Sequence, residues 1–565
     1  MNGPRLQDDG RVVVETPAYR LEVSANGLRV TLGDLVLRPY AAFDTLGAVD
    51  ETLAVLPPRV AEGRIELERR STRWDRALTS IACTEDQVEL TFSVAGSGEL
   101  TGVSLLALRS LIPDRLGWLP SGYGVGELNK LFCANPAHAT GTRPAHEPAV
   151  IGATGDGEPG RHHWFFTPAP LYLAWAPEDE RDWLDVGFVA PVEALTFVEA
   201  AYVPRDGGFH LQLDYEGHTR VDGAFTAPSL LFTPGVADPY RGLRRHRDDL
   251  VARAAAVPVA EREQPDWWTS PIFCGWGAQF HLYESSGVSP MAQATQENYD
   301  AFLTHLEGER LVPGIVVLDD KWQTAYGTNQ PDEAKWPDLK GWIAARRERG
   351  QHVLLWWKAW DPEGLPPELC VRNPEGVPIA VDPGNEETRA ELQRQVARML
   401  GAEGLDADGL KIDFTARTPS GHALSAAGSG WGIALLHELL AVVYTAAKAA
   451  KPDALIITQT PHPAFVDVTD MIRLNDIIGG HESVVPQMRF RAELTAAACP
   501  ELLIDTDDWR IPSLAAWREY LGMKAELGVP SLYYATHVDA TGERLEPSDY
   551  EALRDVWQRW EASRR

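Results

Sequence analysis

The sequence has little cysteine and lacks the cysteine and histidine spacings that hold metal ions. Its five cysteines are odd in number, widely scattered and never arranged as Cys-x-x-Cys. No His-x-x-x-His or His-Glu-x-x-His pattern occurs either. These absences argue against a disulfide framework and against a zinc site, and they fit a reducing compartment. We therefore expect a cytoplasmic protein with no metal or other cofactor.

Basic residues and long apolar runs are also scarce. Lysine and arginine number 52 against 81 acidic residues, a net charge of -29 that repels phosphate backbones and anionic membranes. Nucleic acid and membrane partners are therefore not expected. Residues 1–9 contain no apolar stretch of the kind that a secretory signal requires. The most apolar helix candidate, Ile433 to Ala450, carries His437, Glu438 and Lys448 and is predicted to pack on the protein surface. Homo-oligomer formation is left open.

The first part of the chain consists of short alternating runs separated by Gly, Pro, Asn and Asp. Examples are Arg11 to Thr16, Tyr19 to Val23, Gln87 to Val94 and Phe209 to Tyr215. Alternation of this kind is typical of antiparallel sheets with one solvent-exposed face. We predict an N-terminal β-sandwich domain over residues 1–238, followed by a charged linker helix over residues 239–268.

From residue 269 onward, continuous apolar runs alternate with helical patterns, which indicates parallel strands buried on both faces. Eight strands are predicted: Pro271 to Trp276, Gly314 to Asp319, His352 to Trp357, Gly409 to Phe414, Leu455 to Gln459, Asp470 to Leu474, Leu502 to Thr506 and Ser531 to Ala535. Eight strand and helix units in about 300 residues match a (β/α)8 barrel. The predicted fold is therefore multidomain, with the β-sandwich followed by a (β/α)8 TIM barrel over residues 269–565 and no C-terminal β-domain.

Two of the predicted strands lead into aspartates that are placed for chemistry. Asp413 ends the fourth strand, and Asp476 follows the sixth, 63 residues later. Both belong to the C-terminal rim, where barrel enzymes carry their active sites. Backbones two strands apart are about 9 to 10 Å apart, so carboxyl groups that lean inward come within about 5 to 7 Å. Retaining glycosidases use a spacing of roughly 5 to 5.5 Å, so the pair indicates sugar chemistry.

Neighbouring charges fit two different roles for these aspartates. Strand alternation puts Lys411 on the same side as Asp413, where it keeps the carboxylate ionised, as a nucleophile requires. Asp476, with Arg473 three residues before it, is the candidate acid/base, because repulsion by the nucleophile and burial both raise its pKa. A single aspartate after a strand is more often a helix cap or an Asx turn, but several at one rim favour a site.

Tryptophan is abundant, with 19 residues, and several of these follow predicted strands. Trp276, Trp322 and Trp360 are candidates for stacking on the apolar face of a sugar, with core packing as the alternative. Trp356 and Trp357 are neighbours on one strand, so at most one of them points into the barrel.

Three short motifs, taken in order, resemble those of glycoside hydrolase family 36, which contains the α-galactosidases and raffinose synthases. They are VLDDKWQ at Val317 to Gln323, KID at Lys411 to Asp413 and RLND at Arg473 to Asp476. The resemblance implies that Asp413 is the nucleophile and Asp476 the acid/base of a retaining α-glycosidase. The full set of candidate substrate-binding residues is Asp319, Asp320, Trp322, Lys411, Arg473, Trp276, Lys358, His462 and Trp360.

The sequence also departs from that family. Phe414-Thr415-Ala416-Arg417 follows the predicted nucleophile, so the usual Asn is missing and the Arg is displaced by one position. The fifth strand leads into Thr458 to Pro463, where the family usually has a Cys and a Gly-rich turn. Lys358, after the third strand, favours an anionic or otherwise unusual glycoside, and a salt bridge with Asp320 or Asp361 is the structural alternative. Galactose specificity is therefore left open.

The leading hypothesis is a retaining exo-α-glycosidase, α-galactosidase-like, that hydrolyses small α-glycosides or oligosaccharides through a covalent glycosyl-aspartate. A transglycosylase of the raffinose-synthase type would use the same two carboxylates. A non-catalytic sugar-binding barrel would keep the fold without turnover. A metal-dependent lyase or isomerase would hold its cation on Asp319, Asp505 and Asp508, and a chelator would then abolish its activity.

Overall fold

The computed structural model describes residues 3–25, 27–30, 35–107, 130–134, 141–144, 149–153, 167–176, 181–203, 208–258 and 264–564. Two antiparallel sheets account for the N-terminal strands, and one parallel sheet accounts for the strands of the second half.

Antiparallel strands fill the N-terminal region. The first sheet contains β1 to β5 in chain order, and the second contains the fourteen strands β6 to β19. Their bounds are β1 Arg5–Leu6, β2 Val12–Glu15, β3 Arg20–Ser24, β4 Gly27–Val30, β5 Leu35–Leu37, β6 Ala41–Thr45, β7 Thr52–Val55, β8 Arg59–Ala61, β9 Arg64–Ser71, β10 Arg76–Cys83, β11 Val88–Leu105, β12 Lys130–Cys133, β13 Thr142–Pro144, β14 Ala149–Ala153, β15 Tyr172–Ala176, β16 Trp183–Val189, β17 Phe197–Val203, β18 Gly208–Thr226 and β19 Ser229–Val236. The antiparallel region predicted from alternation is confirmed, because alternate side chains such as Val12 and Val14 are fully buried.

The strand β18 contains an irregularity that matters for the site. Its pairing with β11 shifts between Leu100 and Gly102. Opposite this shift, Glu216 and Gly217 have φ angles of 53° and 84°. Left-handed residues of this kind form a β-bulge, which projects out of the strand pair. We call residues 215–218 the β18 bulge.

A helix connects the antiparallel region to the barrel. This helix, α1, spans Pro239–Ala252, and the Asp238 side chain caps it by accepting a hydrogen bond from the Arg241 amide at 2.9 Å. It packs on β15, β16 and β19 on one side and on a barrel helix on the other. The predicted linker helix over residues 239–268 thus coincides with α1 in its first half.

The barrel strands form one parallel sheet. They are β20 Ile272–Cys274, β21 Ile315–Leu318, β22 His352–Lys358, β25 Gly409–Asp413, β26 Leu455–Thr458, β27 Met471–Arg473, β28 Leu503–Asp505 and β29 Ser531–Leu532. Each of the eight lies within a predicted run or extends it by one residue. The sheet order runs from β28 through β27, β26, β25, β22, β21 and β20 to β29, and a parallel bridge between Asp505 and Val529 brings the two edges together. The nearly closed barrel confirms the predicted TIM-type architecture.

Helices and two small hairpins fill the connections. The helices are α2 Trp276–Ser286, α3 Gln296–Gly308, α4 Leu339–Glu348, α5 Glu386–Leu400, α6 Ile433–Ala450, α7 Val484–Ala498, α8 Leu514–Leu521, α9 Lys524–Leu527 and α10 Pro547–Arg564. The hairpins are β23 Cys370–Arg372 with β24 Pro378–Val381, and β30 His537–Val538 with β31 Glu543–Arg544. The first predicted strand was too long, because Trp276 opens α2 instead of ending β20.

Within the described residues, α6 is long and apolar enough to cross a membrane by length and composition alone. Its leucines Leu435, Leu436, Leu439 and Leu440 are fully buried in the core, and the helix packs on α5. A helix that packs against a protein core can have the same length and apolar content as a membrane-spanning helix. We therefore identify α6 as the packed helix that the sequence predicts.

Candidate active site

Asp413 ends β25 and holds a dense set of hydrogen bonds. Its Oδ1 accepts from the Phe414 amide at 2.8 Å, from Gln459 Nε2 at 3.1 Å and from Arg473 at 3.2 Å. Its Oδ2 accepts from the indole of Trp356 at 3.2 Å. The side chain keeps 20% of its surface exposed. Oδ1 is therefore crowded by three donors, and Oδ2 is the oxygen better placed to attack an incoming group.

Electrostatics keep Asp413 ionised. Burial acts to raise the pKa of its carboxyl group, but the positive charges of Arg473 and Lys411 and the hydrogen bonds from Phe414 and Trp356 outweigh burial. The pKa is consequently held below the ordinary aspartate value of 3.8. An ionised carboxylate with an exposed edge has the properties of a nucleophile.

Asp476 lies just after β27 and has the opposite electrostatic balance. Burial, aided by the negative charges of Asp507 and Asp413, raises the pKa of its carboxyl group to about 6, although Arg473 opposes the shift. Its side chain is 37% exposed, so the group is accessible for proton exchange. A carboxyl group with such a pKa can donate a proton and later take one back near neutral pH.

The guanidinium of Arg473 joins the two aspartates. One terminal nitrogen lies 3.2 Å from Asp413 Oδ1, and the other lies 3.0 Å from Asp476 Oδ1 and 2.6 Å from Asp507 Oδ2. Because the guanidinium is a small planar fork, the Asp413 and Asp476 oxygens that it holds are less than about 9 Å apart. Both carboxyl groups therefore face one small space at the mouth of the barrel.

Lys411 lies beneath this pair but binds a different partner from the one expected. Its ammonium group is fully buried and lies 2.6 Å from Asp319 Oδ2 and 3.4 Å from the thiol of Cys274. The thiol in turn donates to Asp319 Oδ2 at 3.0 Å. Lys411 still contributes a positive charge that lowers the pKa of Asp413. The direct ionic partner of Asp413 is Arg473, which strand alternation alone did not reveal.

Asp320 and Lys358 lie at the same rim on the other side of Asp413. Burial raises the pKa of the Asp320 carboxyl to about 7, although it accepts a hydrogen bond from the Tyr326 hydroxyl at 2.7 Å. The ammonium group of Lys358 lies 2.7 Å from Asp361 Oδ2 and 4.1 Å from the centre of the Tyr326 ring. Of the two salt bridges considered for Lys358, the one with Asp361 forms.

Several residues predicted to contact the sugar lie in structural positions instead. Trp322 is fully buried, and its indole donates to the carbonyl oxygen of Trp356 at 2.8 Å. The indole of Trp360, also buried, donates to the Thr415 carbonyl oxygen at 3.3 Å. His462 is buried, and its ring accepts from the Ala464 amide at 3.1 Å. These contacts favour the core-packing alternative for Trp322 and a turn-stabilising position for His462.

Trp276 is half-buried and packs edge-to-face against Phe280 and Trp509, with ring centres 5.1 and 5.8 Å away. The three rings form an aromatic wall beside the rim.

Sequence reasoning assigned no role in the site to three residues that touch Asp413 or Asp320. Trp356 points into the barrel and binds Asp413, so Trp357 on the same strand faces outward. Gln459 bridges Asp413 and Arg473. Tyr326 binds Asp320. Each of them follows or ends a predicted strand or motif, which was the available signal, but residue type alone did not select them.

The acidic residues after β28 are neutralised from within the protein. Asp508 lies 2.7 Å from the buried ammonium of Lys524, and Asp505 accepts hydrogen bonds from the Ser531 hydroxyl and the Asp507 amide. Asp319 is paired with Lys411. Lysine ammonium groups thus form ion pairs with two of the three carboxylates considered for a metal. Among the described residues, no group of three or more possible metal ligands occurs. This arrangement does not favour a metal-dependent lyase or isomerase.

The N-terminal region contacts the loop that follows Asp413. Glu216 of the β18 bulge accepts from the Ser420 hydroxyl at 2.5 Å, the Gly421 amide at 2.7 Å and the Trp431 indole at 2.9 Å. His218 stacks on Trp431, with ring centres 3.6 Å apart. The bulge therefore holds the loop that follows Asp413.

No family model matches the sequence, and no curated protein matches it at a significant level. Solved structures match in fold. An α-galactosidase from Thermus thermophilus, in complex with stachyose, is 14% identical with a TM-score of 0.53, and the match covers 88% of this chain and 98% of that chain.

Two further structures extend the likeness. A GH31 family sulfoquinovosidase from E. rectale, in complex with an aza-sugar inhibitor, is 12% identical with a TM-score of 0.61 over 99% of this chain and 82% of that chain. A cycloalternan-degrading enzyme from Trueperella pyogenes, in complex with a covalent intermediate, is 13% identical with a TM-score of 0.51 over 89% of this chain and 72% of that chain. The chain therefore has the fold of these carbohydrate-active enzymes, an antiparallel β region followed by a barrel.

Proposed function

We propose that the protein is a retaining exo-acting α-glycosidase, related in type to the α-galactosidases, that acts on small α-glycosides or oligosaccharides. The observation that carries this proposal is the pair of aspartates on Arg473, one with a lowered pKa and one with a pKa of about 6. Glycoside hydrolysis by a pair of carboxyl groups requires such opposite pKa shifts at one site, and the retaining assignment follows the resemblance to family 36.

The two aspartates divide the reaction between them. An oxygen of Asp413 attacks the anomeric carbon while Asp476 gives its proton to the departing glycosidic oxygen, so that a glycosyl ester forms and the C–O bond to the leaving group breaks. In the second step, Asp476 takes a proton from water, the water oxygen bonds to the anomeric carbon, and the ester bond to Asp413 breaks. Both carboxyl groups then return to their starting states.

Two observations support the α-glycoside class. The three motifs that resemble family 36 contain Asp319, Asp413 and Asp476, which follow or end β21, β25 and β27, every second strand of this part of the barrel sheet. Among the structural neighbours, one is an α-galactosidase in complex with stachyose. If an acceptor sugar replaces water in the second step, the same groups perform transglycosylation, and the ratio of transfer to hydrolysis at high acceptor concentration measures which reaction dominates.

An activated aryl α-glycoside tests the two roles separately, because a dinitrophenolate leaves without protonation. With this substrate, Asp476→Ala should form the glycosyl ester and then stall, and azide should restore turnover and yield a glycosyl azide of retained α configuration. Asp413→Ala should lose at least about a hundredfold in turnover with every leaving group.

The matched control is Glu284→Ala. This change removes an exposed carboxylate of α2 that pairs with Arg510. The turnover of this variant should stay within about threefold of the wild-type turnover, since surface ion pairs contribute little to stability. The proposal is wrong if neither Asp413→Ala nor Asp476→Ala lowers turnover, or if NMR of the first-formed sugar shows inversion.

A further inference from the structure

A small cleft opens beside Asp413 on the side of β22. Its volume is about 150 Å³, and its lining includes Lys358, Trp360, Asp361, Ile379, Arg417 and Ser420. A cleft of this size has room for several ordered waters or for one substituent of a sugar ring, and it is too small for a second sugar.

Lys358 brings a positive charge to the mouth of this cleft. In the parallel register, Lys358 pairs with Asp413, so the two residues are neighbours on adjacent strands. Lys358 is two residues after Trp356, which faces the barrel interior, and so it leans to the same side. Its ammonium group has three N–H donors, of which Asp361 takes one at 2.7 Å. Among the described residues, Asp361 is its one ionic or hydrogen-bonding partner, so the remaining donors can reach a ligand in the cleft.

Arg417 brings a second positive charge to the same cleft. Its guanidinium carbon lies 4.7 Å from the centre of the Phe414 ring, and the Lys358 ammonium lies 5.5 Å from the same centre. The two cations are thus no more than about 10 Å apart, about one Debye length at physiological salt. Among the described residues that line the cleft, Lys358 and Arg417 are the cations and Asp361 is the carboxylate, in a chain whose net charge is -29. Such a local concentration of positive charge favours an anionic ligand.

The position of the cleft indicates which part of the substrate it contacts. Asp476 must touch the departing oxygen, so the leaving group extends toward β27. In the sheet order, β22 lies on one side of β25 and β27 on the other side. The cleft at the end of β22 therefore borders the sugar ring that is bonded to Asp413, not the leaving group. On a pyranose, C6 is the carbon that carries a carboxylate, sulfonate or phosphate without the loss of a ring hydroxyl.

We propose that the preferred substrate is an α-glycoside whose sugar ring carries an anionic group at C6, bound between Lys358 and Arg417. This inference rests on the proposed glycosidase function and narrows its substrate class. A carboxylate, a sulfonate and a phosphate share the chemistry that this cleft recognises, and Arg417 adds the planar fork that binds such oxygens in pairs.

The test uses aryl α-glycosides of glucose and galactose in four matched forms, with hydroxyl, carboxylate, sulfonate or phosphate at C6. In wild type, kcat/KM for at least one anionic form should exceed that for the neutral parent by at least about tenfold. The best form identifies the anion. In Lys358→Met and Arg417→Met, the ratio of anionic to neutral kcat/KM should fall by at least about tenfold.

The matched control is Lys321→Met. Lys321 lies on the same Tyr326 ring, 3.6 Å from its centre, and pairs with Glu363 outside the cleft. It should leave the anionic-to-neutral ratio within about threefold of wild type. A second measurement needs no variant, because added NaCl should lower kcat/KM for the anionic substrate and not for the neutral one.

The outcomes separate the two proposals. If the neutral glycosides are hydrolysed in an Asp413-dependent way and no anionic form is preferred, the anion site is wrong and the glycosidase function stands. Equal losses on neutral and anionic substrates in Lys358→Met and Arg417→Met would also overturn the anion site. If no member of the panel is turned over, both proposals fail.

Discussion

Arg491 lies directly against the backbone of Asp476, with its guanidinium 2.8 Å from the Asp476 carbonyl oxygen. The same terminal nitrogen is also 2.8 Å from the carbonyl oxygens of Leu474 and Asn475. Arg491 belongs to α7 and is fully buried. Three successive carbonyl groups held by one cation fix the segment that presents the candidate acid/base, which makes Arg491 a positioning residue.

Arg491→Met should lower kcat about 10- to 100-fold, because Asp476 loses its fixed position. Removal of a nearby positive charge should also raise the pKa of Asp476 and move the alkaline limb of the pH–rate profile to higher pH. Kinetics across pH on one aryl glycoside measure both effects. Arg489→Met, at an exposed position on the same helix, is the control and should change neither. A loss of thermal stability with an unmoved alkaline limb would show a purely structural role for Arg491.

The pH profile of the wild type follows from the two carboxyl groups. We expect kcat/KM to rise as Asp413 ionises, below the ordinary value of 3.8, and to fall as Asp476 loses its proton near pH 6. The optimum should lie between these two pH values. With an activated substrate, Asp476→Asn should abolish the alkaline limb, because no proton donor is needed.

Asp320 is a second group that could set the alkaline limb, because burial raises the pKa of its carboxyl to about 7. Asp320→Asn should weaken substrate binding and leave the alkaline limb near pH 6. If instead Asp320→Asn removes that limb and Asp476→Asn does not, Asp320 is the proton donor.

Trp356 and Trp357 form a matched pair on one strand. Trp356→Phe removes the hydrogen bond to Asp413 Oδ2, so the pKa of Asp413 should rise, the acid limb should move to higher pH, and kcat should fall about tenfold. Trp357→Phe removes buried volume from the outward face and should lower the melting temperature without any shift of the acid limb. An equal shift of the acid limb in both variants would contradict the conclusion that the Trp356 side chain, and not that of Trp357, points into the barrel.

Asp185 of β16 should make stability depend on pH. Burial raises the pKa of its carboxyl to about 8, against opposing effects of Tyr172 and Arg245. Because the folded state then holds a proton that the unfolded state releases near pH 4, the contribution of Asp185 to stability is greatest at low pH and declines up to about pH 8. Asp185→Asn should be more stable than wild type at pH 8 by more than about 2 kcal/mol and similar to it at pH 4.

Urea unfolding at pH 4, 6 and 8 measures this difference for Asp185→Asn. Asp222→Asn, at an exposed position on β18, should follow the wild-type curve at every pH. Parallel curves for wild type and Asp185→Asn would mean that the Asp185 carboxyl has an ordinary pKa in the folded protein.

Much of the barrel could be predicted from the sequence because most of its strands are buried on both faces and are therefore continuous apolar runs. Val316, Leu354 and Ile456 are fully buried for this reason. Asp413 and Asp476 were found because chain direction alone places the residues after parallel strands at one rim.

Partners within the site were harder to predict, because side-chain length and helix packing decide them. Alternation gave the correct face for Lys411, but its long side chain reaches Asp319 on another strand. Trp322 adjoins the rim in sequence, yet its ring turns into the core. In the sequence, Arg491 resembles an ordinary surface arginine. Its helical spacing from Met488 and Thr495, which lie on the buried face of α7, was the available sign that it is buried.

The contacts of Glu216 mean that a working barrel cannot be separated from the strands that precede it. Ser420, which lines the cleft, and Trp431 are bound by a carboxylate that belongs to the antiparallel region. A truncated chain starting at α1 would lose that support for the segment after Asp413, including the part that carries Arg417. We therefore expect substrate preference to depend on both halves, and swaps of the N-terminal half between related enzymes should alter it.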